Sequence, residues 1–297
     1  MGEATGPITV YGATGYTGRL VAAELAARKI PFVLAGRNRE KLEALAGQLT
    51  ADGGSAESQR PEIQALPTDD GDGLRELFDR SAAVIACAGP FVLHGEPVLA
   101  AAVETCTPYL DTTGEQSFIR RAFEVYRPKA AEAGSQVIPA MGFDYVPGDM
   151  LAALTAATLD EGERIDKVRI AYHAPFQPSQ GTMRTTLEMI AGGDVEWQDG
   201  AFRPASQKFT RPDFNFGGEL GGQAMMHFPS GEHVMVPNHL SPRSVETGMS
   251  IASIAPGVSS KILSVTGRAF GLAMRTPLKK LMQKAISTRP PLAIPPP

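Results

Sequence analysis

In the first half of the chain, short unbroken apolar runs alternate with longer stretches whose apolar residues recur at helical spacing. The runs at 8–11, 32–35, 82–87 and 109–111 have the length and continuity of strands buried on both faces of a sheet, and 62–67 and 136–139 read as two more. After the first, Leu20, Val21, Leu25 and Ala26 fall on one face of a helix over 15–29. Further helices are expected over 40–49, near 74–78, over 97–105, and from the turn at 112–115 to about 133. Strand and helix alternating in this way predict a doubly wound parallel sheet, because parallel neighbours need a crossover between them. Pro147 then suits the first turn of one more helix.

Beyond about residue 160 the pattern changes. A strand over 168–173, a helix over 181–191 opened by Thr182, and a hairpin over 195–202 turning at Asp199-Gly200 come first. A glycine-rich loop over 214–223 and a strand over 233–237 follow. Together they predict a second, smaller α+β domain. The expected division is therefore 1–150, 151–255, and a tail over 256–297 whose final Arg289-Pro-Pro-Leu-Ala-Ile-Pro-Pro-Pro297 suits neither helix nor central strand.

The first strand runs into Gly12-Ala13-Thr14-Gly15-Tyr16-Thr17-Gly18 and then a helix. Glycines at that spacing permit a tight turn, a close approach of backbone to a pyrophosphate, and close packing of helix on strand, while the helix N-terminus favours an anion. The context, strand before and helix after, makes this a dinucleotide cradle of a Rossmann-type α/β fold. About twenty residues on, an Asp or Glu would hold a ribose 2′-OH, whereas Arg accommodates a 2′-phosphate. Gly36 is followed by Arg37 and Asn38 with no carboxylate before Glu40, so NADP(H) is the expected cofactor. Asp69 and Asp70, just past the third strand, could reach the adenine side. Ala88-Gly89-Pro90-Phe91 leaves the fourth strand at the carboxyl edge of the sheet, where such ligands bind.

Composition narrows the setting. Hydrophobic residues make up 43% of 297, enough for a large core, and no apolar run approaches the length of a membrane span. Cys87 and Cys106 are far apart and without a C-x-x-C partner, which argues against a zinc site or a disulfide framework and for a reducing cytoplasm. Cys87 ends a buried strand and reads as a small core residue. The five histidines form no H-E-x-x-H, so no metal is expected. Net charge is −4, yet no acid follows Glu246 while the tail holds seven Lys and Arg. A basic, apolar tail could meet a membrane surface or an acidic carrier protein, or pack on the acidic remainder of the chain or a second subunit. Nothing suggests nucleic acid.

Hydride transfer asks little of a protein beyond orienting the nicotinamide against the substrate and supplying one proton. No Tyr is followed by Lys four residues later, which argues against the short-chain dehydrogenases, and neither Cys sits in an acyl-phosphate reductase motif. Glu115 and Asp144, at the ends of predicted strands, are the candidate proton donors, with Tyr145 and His173 behind them. Asp144 could equally help cap the helix after Pro147.

Tyr11-Gly-Ala-Thr-Gly-Tyr-Thr-Gly18, Ala35-Gly-Arg-Asn38, Cys87-Ala-Gly-Pro-Phe91 with Gly95-Glu-Pro-Val98, Asp111-Thr-Thr-Gly-Glu115 and Gly142-Phe-Asp-Tyr-Val-Pro-Gly-Asp149 occur in order. In this the chain resembles the saccharopine dehydrogenase-like oxidoreductases, which include bacterial trans-acting enoyl reductases, from residue 8 to about 190. The resemblance implies an NADP-binding domain followed by a substrate and dimerisation domain. It puts Gly12 to Gly18 on the pyrophosphate, Arg37 on the 2′-phosphate, Ala88 to Phe91 beside the nicotinamide ribose, and Gly114, Glu115, Phe143 and Asp144 near the nicotinamide and substrate. Members usually carry a further C-terminal stretch, so a fragment, a diverged end or a shortened member is expected. The expected activity is reduction of a C=C bond in an enoyl or acyl-lipid substrate. The alternatives are C=N/C–N chemistry on an amino-acid-derived substrate, or a non-catalytic NADP-binding sensor or lipid-associated scaffold. A cytoplasmic homodimer, peripherally attached to a membrane or not, completes the expectation.

Overall fold

The computed structural model describes residues 6–52, 60–174, 194–205, 210–228 and 230–254; the helix expected over 181–191 and the basic segment 256–297 lie outside the described residues. Two compact units divide them, one holding the described residues of 6–113 and 118–142, the other Gly114–Ser117 and the described residues of 143–254. The short segment Gly114–Ser117, between the two stretches of the first unit, belongs to the second.

In the first unit, strands β1 (Ile8–Tyr11), β2 (Phe32–Gly36), β3 (Glu62–Ala65), β4 (Ala83–Ala86), β5 (Tyr109–Asp111) and β6 (Val137–Ile138) alternate with helices. The helices are α1 (Tyr16–Ala27), α2 (Arg39–Asp52), α3 (Gly71–Asp79), α4 (Phe91–Glu104), α5 (Gln116–Arg121) and α6 (Arg127–Ala133). The sheet order is β3-β2-β1-β4-β5-β6, parallel throughout, with Ile8 in register with Phe32 on one side and Ala83 on the other. Side chains alternate between its faces. Val10 and Leu34 pack with Leu25, Leu42 and Leu45. Tyr11, Val33 and Val84 pack on the other side with Leu74, Phe78 and Leu99. This is the expected doubly wound sheet, and its order reverses between β1 and β4.

Two helices differ from expectation. α4 starts at Phe91, with Pro90 as N-cap and Pro97 inside it, rather than at 97. An interior proline costs about 3 kcal/mol, and burial of Phe91, Val98 and Leu99 offsets it. Gly95 lets the helix come close, since a Cβ there would lie 2.7 Å from the Phe118 ring. The long helix expected to 133 is three segments, with a π turn at Ala122–Tyr126 between α5 and α6. In a regular α-helix the Pro128 ring would meet the carbonyl of Glu124, and widening the preceding turn relieves that clash.

The second unit holds α7 (Val146–Ala156), β7 (Lys167–Tyr172), β8 (Val195–Gln198), β9 (Ala201–Pro204), β10 (Thr210–Asn215) and β11 (Gly222–His227). After these come α8 (Glu232–Met235), a 3-10 turn (Val236–Asn238), β12 (Ser244–Ser250) and α9 (Ile251–Ile254). A four-stranded sheet runs β10-β11-β12-β7, antiparallel except for β12 with β7. β8 and β9 form the expected hairpin, with φ of 50° at Asp199 and 75° at Gly200 supplying the turn. The expected strand over 233–237 is instead α8 and the 3-10 turn. Its apolar run is buried on all sides, and a short run of that kind carries no period to separate helix from strand. The loop expected over 214–223 is narrower: it closes a hairpin between β10 and β11, with Gly217, Gly218 and Gly221 at positive φ. β12 had no apolar signal, being Ser-Val-Glu-Thr-Gly-Met-Ser. Among the described residues no helix is long and apolar enough to cross a membrane.

Candidate functional site

At the carboxyl end of β1 the backbone turns away from the sheet under tight control. Gly12 N–H bonds the Ala35 carbonyl at 2.9 Å, and Gly15 N–H closes the turn on Gly12 O at 3.0 Å. Gly12 has φ of 81°, and a Cβ on it would lie 2.7 Å from Ala88 N, so the loops after β1 and β4 touch at the point where the sheet order reverses. Gly18 lets α1 pack: a Cβ there would come within 2.7 Å of Ala13 Cα. Gly15, exposed as N-cap of α1, is the least crowded of the three, a Cβ meeting only Gly12 O at 3.3 Å and Cys87 O at 3.9 Å.

Ala13 is fully buried and serves the core, while Thr14 and Thr17 are half-buried and Tyr16 is exposed. The N–H groups of Tyr16, Thr17 and Gly18 have no acceptor among the described residues, and the first turn of α1 carries no acid. Outward N–H donors, a helix dipole and an open N-cap glycine are the donor set of a phosphate. The residues present therefore fit a dinucleotide pyrophosphate. Arg19, which sequence reasoning passed over, donates from Nε to Thr14 O at 3.2 Å and brings a guanidinium to the same loop. Its place one residue past the third glycine was the available signal.

Arg37, at the end of β2, is exposed and in no ion pair among the described residues. Arg37 and Asp69 both act on the Tyr11 hydroxyl, in opposite directions, so the exits of β1, β2 and β3 share one edge. Asn38 is committed in part: its Oδ1 accepts the Lys41 N–H at 2.9 Å and caps α2. Asp70 likewise caps α3, accepting the Gly73 N–H at 3.0 Å.

After β4, burial pushes the Cys87 thiol up to about 12, which keeps it from acting as a nucleophile at neutral pH. Ala88 and Gly89 follow at the surface side, and the Pro90 carbonyl accepts the N–H groups of Leu93 and His94. The Phe91 side chain packs into the core against Phe118, ring centroids 5.6 Å apart, so its contribution to a nucleotide is confined to backbone. Gly12 to Gly18, Arg37, Asn38 and Ala88 to Phe91 thus sit along the carboxyl edge of one sheet.

Gly114, Glu115 and Asp144 belong to the second unit. Glu115 is buried at 1% exposure. Gln116 holds its segment in place, exchanging bonds with the N–H and carbonyl of Val195 and donating to Ser230 O, each at 2.8 Å. Tyr145 is buried, donates to Gly114 O at 2.7 Å, and is the N-cap of α7 without any side-chain cap. No cap from Asp144 is seen at α7. Asp144 is exposed at its surface, yet protein crowded on its other sides pushes the carboxyl upward. His173 bonds Ser250 Oγ through Nδ1 at 2.8 Å, a contact between neighbouring elements of the sheet.

Sequence reasoning missed a buried acid nearby. Glu232, on α8, is 0% exposed and accepts a hydrogen bond from the Tyr172 hydroxyl on Oε1. Burial pushes its carboxyl up to about 7, against the opposing pull of bonds from Ser230 and Tyr172. Asp194 is pushed up to about 7 by burial as well. Because 233–237 was read as a strand, Glu232 fell in a loop just before it.

Residues 8–138 match the family described as the saccharopine dehydrogenase NADP-binding domain. A Mycobacterium tuberculosis protein of the trans-acting enoyl reductase group is 31% identical over 224 residues, 73% of this chain and 51% of that one. A Bos taurus saccharopine dehydrogenase-like oxidoreductase is 34% identical over 155 residues, 48% of this chain and 35% of that one. The chain therefore spans about half the length, or less, of the curated relatives it matches. Among solved structures, a saccharopine dehydrogenase of Saccharomyces cerevisiae shares the fold with a TM-score of 0.56 at 17% identity, covering 84% of this chain and 56% of that one. The parallel six-stranded sheet, the cradle at its switch point and these likenesses place the chain among the saccharopine dehydrogenase-like oxidoreductases, with an NADP-binding domain as its first unit.

Proposed function

We propose that this chain is an NADP(H)-dependent oxidoreductase that reduces the C=C bond of an enoyl or acyl-lipid substrate. The observation that carries the cofactor half is the cradle after β1, whose outward N–H donors and open Gly15 fit a pyrophosphate at the point where the sheet order reverses. Tyr16, Thr17 and Gly18 would hold the pyrophosphate through backbone N–H, with Arg19 beside them. Arg37 would hold the 2′-phosphate, and Ala88 to Phe91 would line the ribose. When bound, the dinucleotide supplies the hydride.

The enoyl half draws on the 31% identity across 73% of the chain to a protein of the enoyl reductase group. Phe143, 81% exposed beside Asp144, is the kind of apolar surface an acyl chain would cover. Titration with NADPH and NADH side by side, followed by NADPH oxidation with an enoyl thioester and with an imine acceptor, tests both halves. Tighter NADPH binding and turnover of the thioester are expected. Tighter NADH binding, or none of either, would overturn the cofactor assignment. Turnover of the imine alone would move the chemistry to C=N, and binding without any turnover would make the chain a sensor.

A further inference from the structure

We propose that the outward face of α7 is a docking surface for a segment of this same chain, residues 277–287, whose apolar and basic side chains complement it. α7 is apolar on both sides. Gly148 and Ala152 face inward: Ala152 is buried with Val236 and Val245, and a Cβ on Gly148 would meet the Tyr172 and Glu232 side chains. Met150, Leu151 and Leu154 fall on the opposite side and are 50%, 61% and 67% exposed, and Leu159, just past the helix, is exposed as well. At about 3.6 residues per turn the three α7 positions share a stripe about 100° wide. Large apolar side chains gathered in one exposed stripe mark a surface that something covers.

Charge selects the occupant. The chain leaving α7 carries Asp160, Glu161 and Glu163 against Arg164, all exposed, and none of the four is in an ion pair among the described residues. Glu163 Oε2 accepts the Asp160 N–H at 2.9 Å, which gathers the acids into one turn. The last turn of α7 holds no cation, so its carbonyl end adds to the same negative field. An anionic bilayer or an acidic carrier protein would meet like charge here.

Residues 255–297 supply the opposite sign, with seven Lys and Arg and no Asp or Glu. Within them Leu278, Leu281, Met282, Ala285 and Ile286 recur at i, i+3, i+4, i+7 and i+8, with Lys279, Lys280 and Lys284 between, a spacing that sorts apolar from basic residues on a helix. Thr276 and Pro277 just before them are a start signal of the same kind. The last described element, α9 at Ile251–Ile254, belongs to the same unit as α7. Ile254 and Leu278 are 24 residues apart in sequence. At up to about 3.3 Å per residue, that is enough chain to reach any face of a unit this size. Docked, the segment lays its apolar stripe on Met150, Leu151 and Leu154 and its lysines beside Asp160, Glu161 and Glu163. The docking is independent of the reaction this chain performs.

The test is cross-linking in the full chain. Leu154→Cys and Leu281→Cys are introduced with Cys106→Ser, which removes the exposed native thiol, while burial keeps the Cys87 thiol protonated. A short bismaleimide is expected to join the two new thiols within one chain, to an extent unchanged by dilution, as read by mass spectrometry. Charge reversal with Lys279→Glu, Lys280→Glu and Lys284→Glu should lose the link, and adding Asp160→Lys, Glu161→Lys and Glu163→Lys should restore it, with near-ultraviolet circular dichroism unchanged throughout. The unaltered chain gives a second readout. Met150 and Met141 are 50% and 44% exposed, so bare surfaces would oxidise alike in dilute peroxide, whereas docking should make Met150 lag. Equal oxidation, or a link indifferent to both reversals, would overturn the proposal. A link between chains that grows with concentration would give the face to a second copy. Flotation with phosphatidylglycerol vesicles and no internal link would give the segment to a membrane. Either result, or no link of any kind, overturns it too.

Discussion

Asp111 Oδ1 accepts the Ala140 N–H at 2.9 Å and so ties the end of β5 to the chain leaving β6. The same oxygen accepts the Thr113 N–H at 2.9 Å, and the Asp111 carbonyl takes the Met141 N–H at 2.7 Å. Ala140 is held at φ of 61°, which a residue with a Cβ rarely adopts unaided. Asp111 is fully buried, and the Tyr109 hydroxyl leans on its carboxylate. Asp111→Ala would strand the Ala140 and Thr113 N–H groups and cost about 3 kcal/mol, read as a lower urea midpoint at unchanged slope. Asp111→Asn, which keeps an acceptor in place, should lose less.

The part of the fold legible in the sequence was the part with strong periodicity. Strands such as Phe32–Gly36 are buried at every residue, so their apolar runs are unbroken and their ends are marked by glycine or proline. The glycine spacing at 12, 15 and 18 and the Asp199-Gly200 turn were legible because each demands a backbone that few residues adopt. Tertiary packing overrode local signals elsewhere. Phe91 pulls the start of α4 ahead of Pro97, and the buried run at 233–236 gives no sign of its helical twist. Glu232 was invisible for another reason: only the close approach of Gly148 and Tyr172, distant in sequence, makes it a sealed acid.

The cradle glycines should separate by role. Gly18→Ala drives a Cβ to 2.7 Å from Ala13 Cα, which is backbone and cannot swing aside, so the fold should lose about 1–3 kcal/mol. Gly15 has an ordinary φ of −73°, and its Cβ would have only Gly12 O within 3.3 Å. Gly15→Ala should therefore change stability by no more than about 1 kcal/mol. It places a methyl where the pyrophosphate would lie, so NADPH affinity should drop about tenfold or more. Thermal melting and fluorescence titration of the two variants distinguish these outcomes.

Arg37 is exposed and outside any ion pair among the described residues, so its removal should leave the fold unchanged. A guanidinium on a 2′-phosphate makes charge-assisted bonds worth about 1.5–3 kcal/mol. Arg37→Ala should accordingly weaken NADPH by about 10- to 100-fold and leave NADH as it was. An equal loss for both dinucleotides would mean that Arg37 does not face the 2′-phosphate.

Stability should also depend on pH through Glu232, with a sign opposite to that of a salt-bridged acid. Its folded pKa, raised to about 7, lies above the ordinary 4.5, so between those values the folded chain holds a proton that the unfolded chain has lost. Folding is therefore unpenalised below the lower value, grows less favourable as pH climbs through the window, and carries the full cost above 7. That cost is on the order of 3 kcal/mol for a shift of this size. Glu232→Gln keeps an acceptor for Tyr172 and removes the charge. It should melt above the wild type at mildly alkaline pH, with the gap closing toward pH 4.5, when both chains are melted across the range. A variant gaining stability there would mean that the buried charge is held at the expense of the fold. A variant less stable at every pH would assign Glu232 to structure.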